Sequence, residues 1–236
     1  MNLKKIKFVL PLAALLFLST TSFAQLSGGP SFGVTGGLNM TDLRYFLENR
    51  EGNNSRLLTS FNVGLVADYA ASQWVSFQTG AMFTGKGATI EGGENGEDFN
   101  YRMHPWYIEI PLHLIIKPNS VGQNTGFYFG AGPYVAFAVG GKGDYSGPSA
   151  LSTDYYRDHK LKFGSKSNKD MKGVDFGLNF LAGVSFGHGL MLGARYGLGI
   201  TNLAPSDNQA APSFIKNRMF SVTLTVLFKN DSYYYY

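Results

Sequence analysis

Four histidines are the side chains best suited to move protons near neutral pH, and their spacing gives them little company. His104, His113, His159 and His188 fall on four separate stretches. None forms an i, i+4 metal pair, and none has a serine or carboxylate placed as in a known triad. The acidic run Glu91, Glu94, Glu97 and Asp98 lacks the spacing of a calcium loop. The chain has no cysteine, which removes thiol chemistry and disulfide staples. The expectation is a protein without catalytic residues, metal or cofactor. The charges that remain of interest are Asp68, Glu109, Asp175 and Arg195, because each interrupts a stretch that otherwise alternates apolar and small polar residues.

That alternation defines the elements that must carry them. In WYIEIPLHLIIK, Ile108, Ile110, Leu112, Leu114 and Ile116 share one face, and Tyr107, Glu109, Pro111, His113 and Lys117 share the other. This is period two over a whole strand. RMFSVTLTVLFK repeats the pattern, with Phe220, Val222, Leu224, Val226 and Phe228 opposed by Ser221, Thr223, Thr225 and Leu227. Val174 to Phe186 and Leu190 to Asn202 behave alike, placing Asp175 and Arg195 on the small polar face. Ser31 to Asn39, Ser60 to Tyr69, Trp74 to Lys86 and Gly126 to Val139 bring the predicted strands to eight. Pro111 cannot donate to a ladder, and a local bulge is expected there.

Short connections follow the second, fourth and sixth strands. Long ones follow the first, third, fifth and seventh, at about Met40 to Thr59, Gly87 to Pro105, Gly140 to Gly173 and Leu203 to Asn217. This alternation predicts an all-β, transmembrane, up-and-down antiparallel barrel of eight strands, with short periplasmic turns and long outer loops. A soluble ligand-carrying barrel would keep its apolar face inside. Here the non-apolar face is glycine, serine, threonine, asparagine and a few charges, which cannot build a large core but can fill a narrow lumen. Trp74, Tyr69, Trp106, Tyr107, Phe127, Tyr128 and Phe228 lie near strand ends, where rings form girdles at the headgroups.

The ends and the charge agree with export. Lys4, Lys5 and Lys7 precede an apolar run from Phe8 to Leu18 and the small residues up to Ala24, the layout of a cleaved signal peptide. The expected domains are a leader over 1–24 and a barrel over 25–236. Three of the 20 basic residues and none of the 16 acidic ones lie in that leader, so the mature charge is only +1. A nucleic acid is not an expected partner.

The segment Tyr107-Ile108-Glu109-Ile110-Pro111-Leu112, followed by Lys117-Pro118, resembles the Bacteroidetes outer-membrane β-barrel family that includes PorT-like proteins, whose fourth strand reads as an aromatic and then L-E-I-P-L. The resemblance continues through GVDFGLNFLAGVSF, GLMLGARYGLGITNL and the closing strand. It implies an outer-membrane barrel and, for some members, a part in protein secretion. The closing strand also resembles the signal read by the barrel-assembly machinery, here carried by Phe220, Val222, Leu224, Val226 and Phe228. Such a signal usually ends a chain, whereas Lys229 to Tyr236 follow it here.

Two groups of residues are candidates for function. Glu109, Arg195, Asp68 and Asp175 form an expected interior network, closest between Glu109 and Arg195; the alternative places each near a rim in water. Tyr145, Tyr155, Tyr156, Arg157 and Lys160, in the basic connection, form an expected outer contact surface, and that connection is expected to attract its acidic neighbour at the mouth. The partners implied are outer-membrane lipids, the assembly machinery, and either secretion components or extracellular ligands. Three functions stay open: a structural or accessory barrel, a surface-binding or adhesion barrel, and an enzyme that modifies lipid at the rim.

Overall fold

Strands that alternate in this way hide one face either by packing on another layer or by closing on themselves, and in the computed structural model they close. The structure describes residues 30–46, 55–94, 97–118, 125–146, 159–166, 168–205 and 214–228. The leader expected over 1–24, Tyr155, Tyr156, Arg157 and the tail over 233–236 lie outside these residues.

The strands in chain order are β1 (Ser31–Phe46), β2 (Ser55–Arg56), β3 (Leu58–Ala70), β4 (Val75–Gly85), β5 (Ala88–Glu94), β6 (Glu97–Ile116), β7 (Thr125–Ser146), β8 (His159–Lys160), β9 (Val174–Phe186), β10 (Leu190–Gly199) and β11 (Phe214–Phe228). Eight of them form a ring of antiparallel neighbours, β1-β3-β4-β6-β7-β9-β10-β11, closed by pairing of β11 with β1. Closure leaves no unpaired edge, the condition for strands to cross a hydrocarbon layer. The short β2, β5 and β8 extend the sheet on the outer side.

The phase of the faces follows the sequence. Phe32, Leu38, Leu65, Phe129, Leu112 and Leu224 are among the large apolar side chains left exposed on the outside, Leu65 at 66%. Asn39, Asn62, Glu109, Asp175, Asn179 and Ser221 are buried within. The tight turn between β9 and β10 places His188 at φ 63 and Gly189 at φ 82, left-handed backbone that glycine accepts freely and histidine tolerates.

Three expectations need correction. The outer connections are partly strand: β1 runs on to Phe46, β6 begins at Glu97 and β7 reaches Ser146. The reason is that Ala88–Glu94 finds a full antiparallel partner in the first half of β6, a pairing hidden by the weaker alternation of that stretch. Pro111 does not sit in a bulge, because Met82 opposite Glu109 and Thr79 opposite Leu112 keep one register past it. The irregularity lies instead at Trp106/Tyr107. Finally, Tyr107 and Tyr128 are not girdle residues; at 0% and 4% exposure they point inward, as period two requires once Phe127 and Phe129 face out. Trp74 and Phe228 remain exposed near strand ends.

Candidate functional site

The lumen is layered, and each layer is set by which inward positions the strands bring to one height. Near the short turns Asp68 accepts from Ser76 (3.1 Å) and Gln78 (3.5 Å) and pairs with Lys117 Nζ at 3.4 Å. Next comes an apolar cluster of Val66, Ile115, Tyr128, Met191 and Leu227, with Leu181 against it. Above it lies a polar middle. The outer mouth is filled by Leu43, Ala88, Met103, Leu161, Met171, Leu203, Ala204 and Ile215, with Tyr101 and Phe163 against them.

The polar middle is organised around Lys86. Its Nζ lies 3.0 Å from both Glu109 Oε2 and Asp175 Oδ2, 4.1 Å from the Tyr134 ring centroid and 5.4 Å from that of Tyr107. Asp175 Oδ2 also accepts from Tyr134 (3.1 Å) and Asn217 (2.9 Å). Arg195 Nη1 donates to Glu109 Oε1 at 3.3 Å and approaches Met82 Sδ at 3.5 Å. Asn179 bridges Glu109 Oε1 (3.3 Å) and His113 Nε2 (3.1 Å). A second cluster joins Asn39 to Thr84 (3.0 Å), Asn62 and Ser221 (2.8 Å). Two cations face two carboxylates, so the charged set is formally neutral. Such balance is what an ion cluster withdrawn from water needs.

The structure brings Glu109 and Arg195 together and adds Asp175 to them through Lys86. Asp68 stands apart, because Ser31 and Gln78 are its register partners at the other end of the barrel. Lys86 was missed by sequence reasoning, although two signals point to it. It continues the inward phase of Ser76, Gln78, Met82 and Thr84, and Glu109, Asp175 and Arg195 alone leave one negative charge unbalanced.

The histidines stay apart. His104 packs on Trp106 with centroids 4.6 Å apart, and His159 lies 3.4 Å from Tyr101 Oη and 3.7 Å from Asp170 Oδ1. Among the described residues no group of three His, Cys, Asp or Glu could hold a metal. Phe220, Val222, Leu224 and Phe228 are exposed on the outer face of β11, with Val226 half-buried. Tyr145 is half-buried in β7, and Lys160 is exposed in β8. The side chains of Glu91, Glu94, Glu97 and Asp98, on which the attraction at the mouth rests, lie outside the described ones.

A family model described as an outer membrane protein beta-barrel domain matches residues 23–204. Among curated proteins nothing matches. Similar solved structures include OprG from Pseudomonas aeruginosa, at 12% identity over 86% of this chain and 97% of that one, with a TM-score of 0.49. Neisserial surface protein A has 16% identity over 85% and 99%, with a TM-score of 0.44. Ail of Yersinia pestis, seen with the heparin analogue sucrose octasulfate, has 10% identity over 84% and 99%, with a TM-score of 0.39.

Proposed function

Since the chain belongs to the outer membrane protein beta-barrel domain family, we propose that it serves in the outer membrane as a non-conducting, non-enzymatic scaffold that meets its partners at the outer rim. One observation carries this reading: the lumen is blocked by a charge-balanced network between two apolar clusters. Eight strands enclose a space that side chains fill, whereas solute channels use about sixteen. Purified protein in planar bilayers is expected to show no stable porin-like conductance steps; steady open-channel currents would overturn the reading.

Export is part of the proposal. The leader over 1–24 would direct the chain out, and the assembly machinery would read the outward row Phe220, Val222, Leu224, Val226 and Phe228. An accessory role in protein secretion, implied by the PorT-like resemblance, is the first form of the scaffold reading. Deleting the gene should then lower the secreted proteins recovered from the medium.

A second reading, surface binding or adhesion, is favoured by the length of β6 and β7. A tilted strand needs about 9–11 residues to cross a bilayer, and these have 20 and 22. Their outer halves pair with each other, and β5 pairs along β6, so they would raise a stiff ribbon above the lipid that carries Tyr145, with Lys160 of β8 paired beside it. Tyr155, Tyr156 and Arg157, also expected in this contact surface, lie outside the described residues. Loss of cell-surface binding with normal secretion in the deletion strain favours this form. Lipid hydrolysis or acyl transfer by the purified protein, abolished by His104→Ala, would instead establish a rim enzyme.

A further inference from the structure

A cavity of about 30 Å³ lies between the ion network and the lower apolar cluster, lined by Thr35, Met82, His113, Met191, Arg195 and Thr225 among others. A water needs roughly 10–15 Å³ measured in this way, so the space suits one monoatomic ion or about two waters. It is too small for an organic ligand.

The chemistry of its walls separates these occupants. The Glu109 carboxylate only accepts, so Nδ2 of Asn179 must face it. The same Nδ2 donates to His113 Nε2, which leaves the ring proton of a neutral imidazole on Nδ1. His113 Nδ1, Arg195 Nε and Arg195 Nη2 are all buried without a protein partner. His113 is 3% exposed and Arg195 2%. The threonine hydroxyls are committed to the wall: Thr35 with Thr225 at 2.8 Å and with the Leu224 carbonyl at 3.4 Å, and Thr223 with the Gly193 carbonyl at 3.4 Å. Three N–H donors therefore lack an acceptor. About two waters would fit here too, passing their hydrogens to the threonine lone pairs; a single halide instead accepts from all three donor nitrogens at once and brings no hydrogen of its own.

The local geometry favours an anion at the same place, set against the one negative charge it would add to the formally neutral set. Lys86 holds Glu109 Oε2 and Asp175 Oδ2 at 3.0 Å each, while Arg195 has a single carboxylate oxygen at 3.3 Å. The side of the guanidinium turned away from Glu109 faces a space lined by Gln78 and threonines as well as by Val66, Leu181 and Met191. We propose that this cavity binds one halide ion of chloride size, held by Arg195 Nε and Nη2 and by His113 Nδ1. The apolar clusters above and below make it a structural ion, enclosed as the barrel closes.

The test uses the full chain, refolded into detergent separately in sodium bromide, sodium chloride or sodium gluconate at equal ionic strength. Crystals grown in bromide should show an anomalous peak within hydrogen-bond reach of Arg195 and His113. In about thirty-fold excess over its Kd, halide should raise the unfolding temperature by roughly 5 °C over gluconate. His113→Leu should abolish that difference. Should His113→Leu not fold, Thr225→Met, which fills the cavity from the β11 side, should abolish it while keeping a heat-dependent gel shift. Water density with no anomalous signal, or melting that ignores halide, would overturn the proposal.

Discussion

Replacing Lys86 by methionine removes the one cation that both Glu109 and Asp175 touch at 3.0 Å while keeping the side chain's length. At an effective dielectric constant near 20, each contact is worth about 5 kcal/mol of attraction before desolvation is counted. The loss is capped by an escape route: one carboxylate can take up a proton. An ordinary carboxylate titrates near pH 4, so protonating it at pH 7 costs about 4 kcal/mol, a large part of a typical stability of about 5–15 kcal/mol. Urea unfolding of the protein in lipid vesicles should therefore show Lys86→Met destabilised by about 4 kcal/mol at pH 7. The native variant then binds a proton that its unfolded chain does not, so its stability rises as pH falls. The deficit against wild type should shrink by about 1.4 kcal/mol per unit down to pH 5. Adding Asp175→Asn leaves Glu109 and Arg195 as a balanced pair and should recover most of the loss at pH 7. A deficit under about 1 kcal/mol, or one insensitive to both pH and Asp175→Asn, would refute the account of the lumen as a charge-balanced plug.

Leu65→Arg, on an outward position 66% exposed, should lower stability in vesicles by about 2–4 kcal/mol if lipid covers that face; an effect within about 0.5 kcal/mol would instead mean water. Gly132→Ala should cost about 1–3 kcal/mol in the same assay, because a Cβ there would overlap the Leu112 carbonyl, an overpacking that the wall cannot relieve. Gly140→Ala, with open space around its Cβ, is the control and should change little. Lys117→Ala should cost no more than about 1 kcal/mol, since Lys117 is 20% exposed and water can replace it beside Asp68.

The membrane-crossing part was legible because a single rule decides it. Once Ile108, Ile110, Leu112 and Leu114 are read as one face, Glu109 and His113 have to share the lumen, and Arg195 and Asp175 follow by the same count. Partner choice was less legible, since phase gives direction but not height. Asp68 obeys the inward phase as well as Glu109 does, and only the ladder register separates it from Asp175. Lys86 stands just past Gly85 at a strand end, where a lysine ordinarily snorkels to water; here its amide donates to the Pro105 carbonyl at 3.0 Å and the side chain stays inside. The outer apolar cluster was invisible for another reason. Leu43, Met103, Leu161, Met171, Leu203 and Ile215 come from six stretches with no shared period, and only the folded chain assembles them.

The two apolar clusters decide how the network responds to its surroundings. Salt screens ion pairs that water reaches, and Lys117 beside Asp68 is partly wetted. Lys86, Glu109, Asp175 and Arg195 are 2% exposed or less, with Met171 and Leu203 above them and Ile115 and Met191 below. Raising sodium chloride from 0.05 to 1 M cuts the screening length to roughly 3 Å, which should erase what remains of the Lys117 contribution. The Lys86→Met deficit should survive almost unchanged, because no mobile ion reaches the pair it breaks. If salt removed that deficit as well, water would have to enter the polar middle, and the lumen would be an aqueous path lined by charges instead of a sealed one.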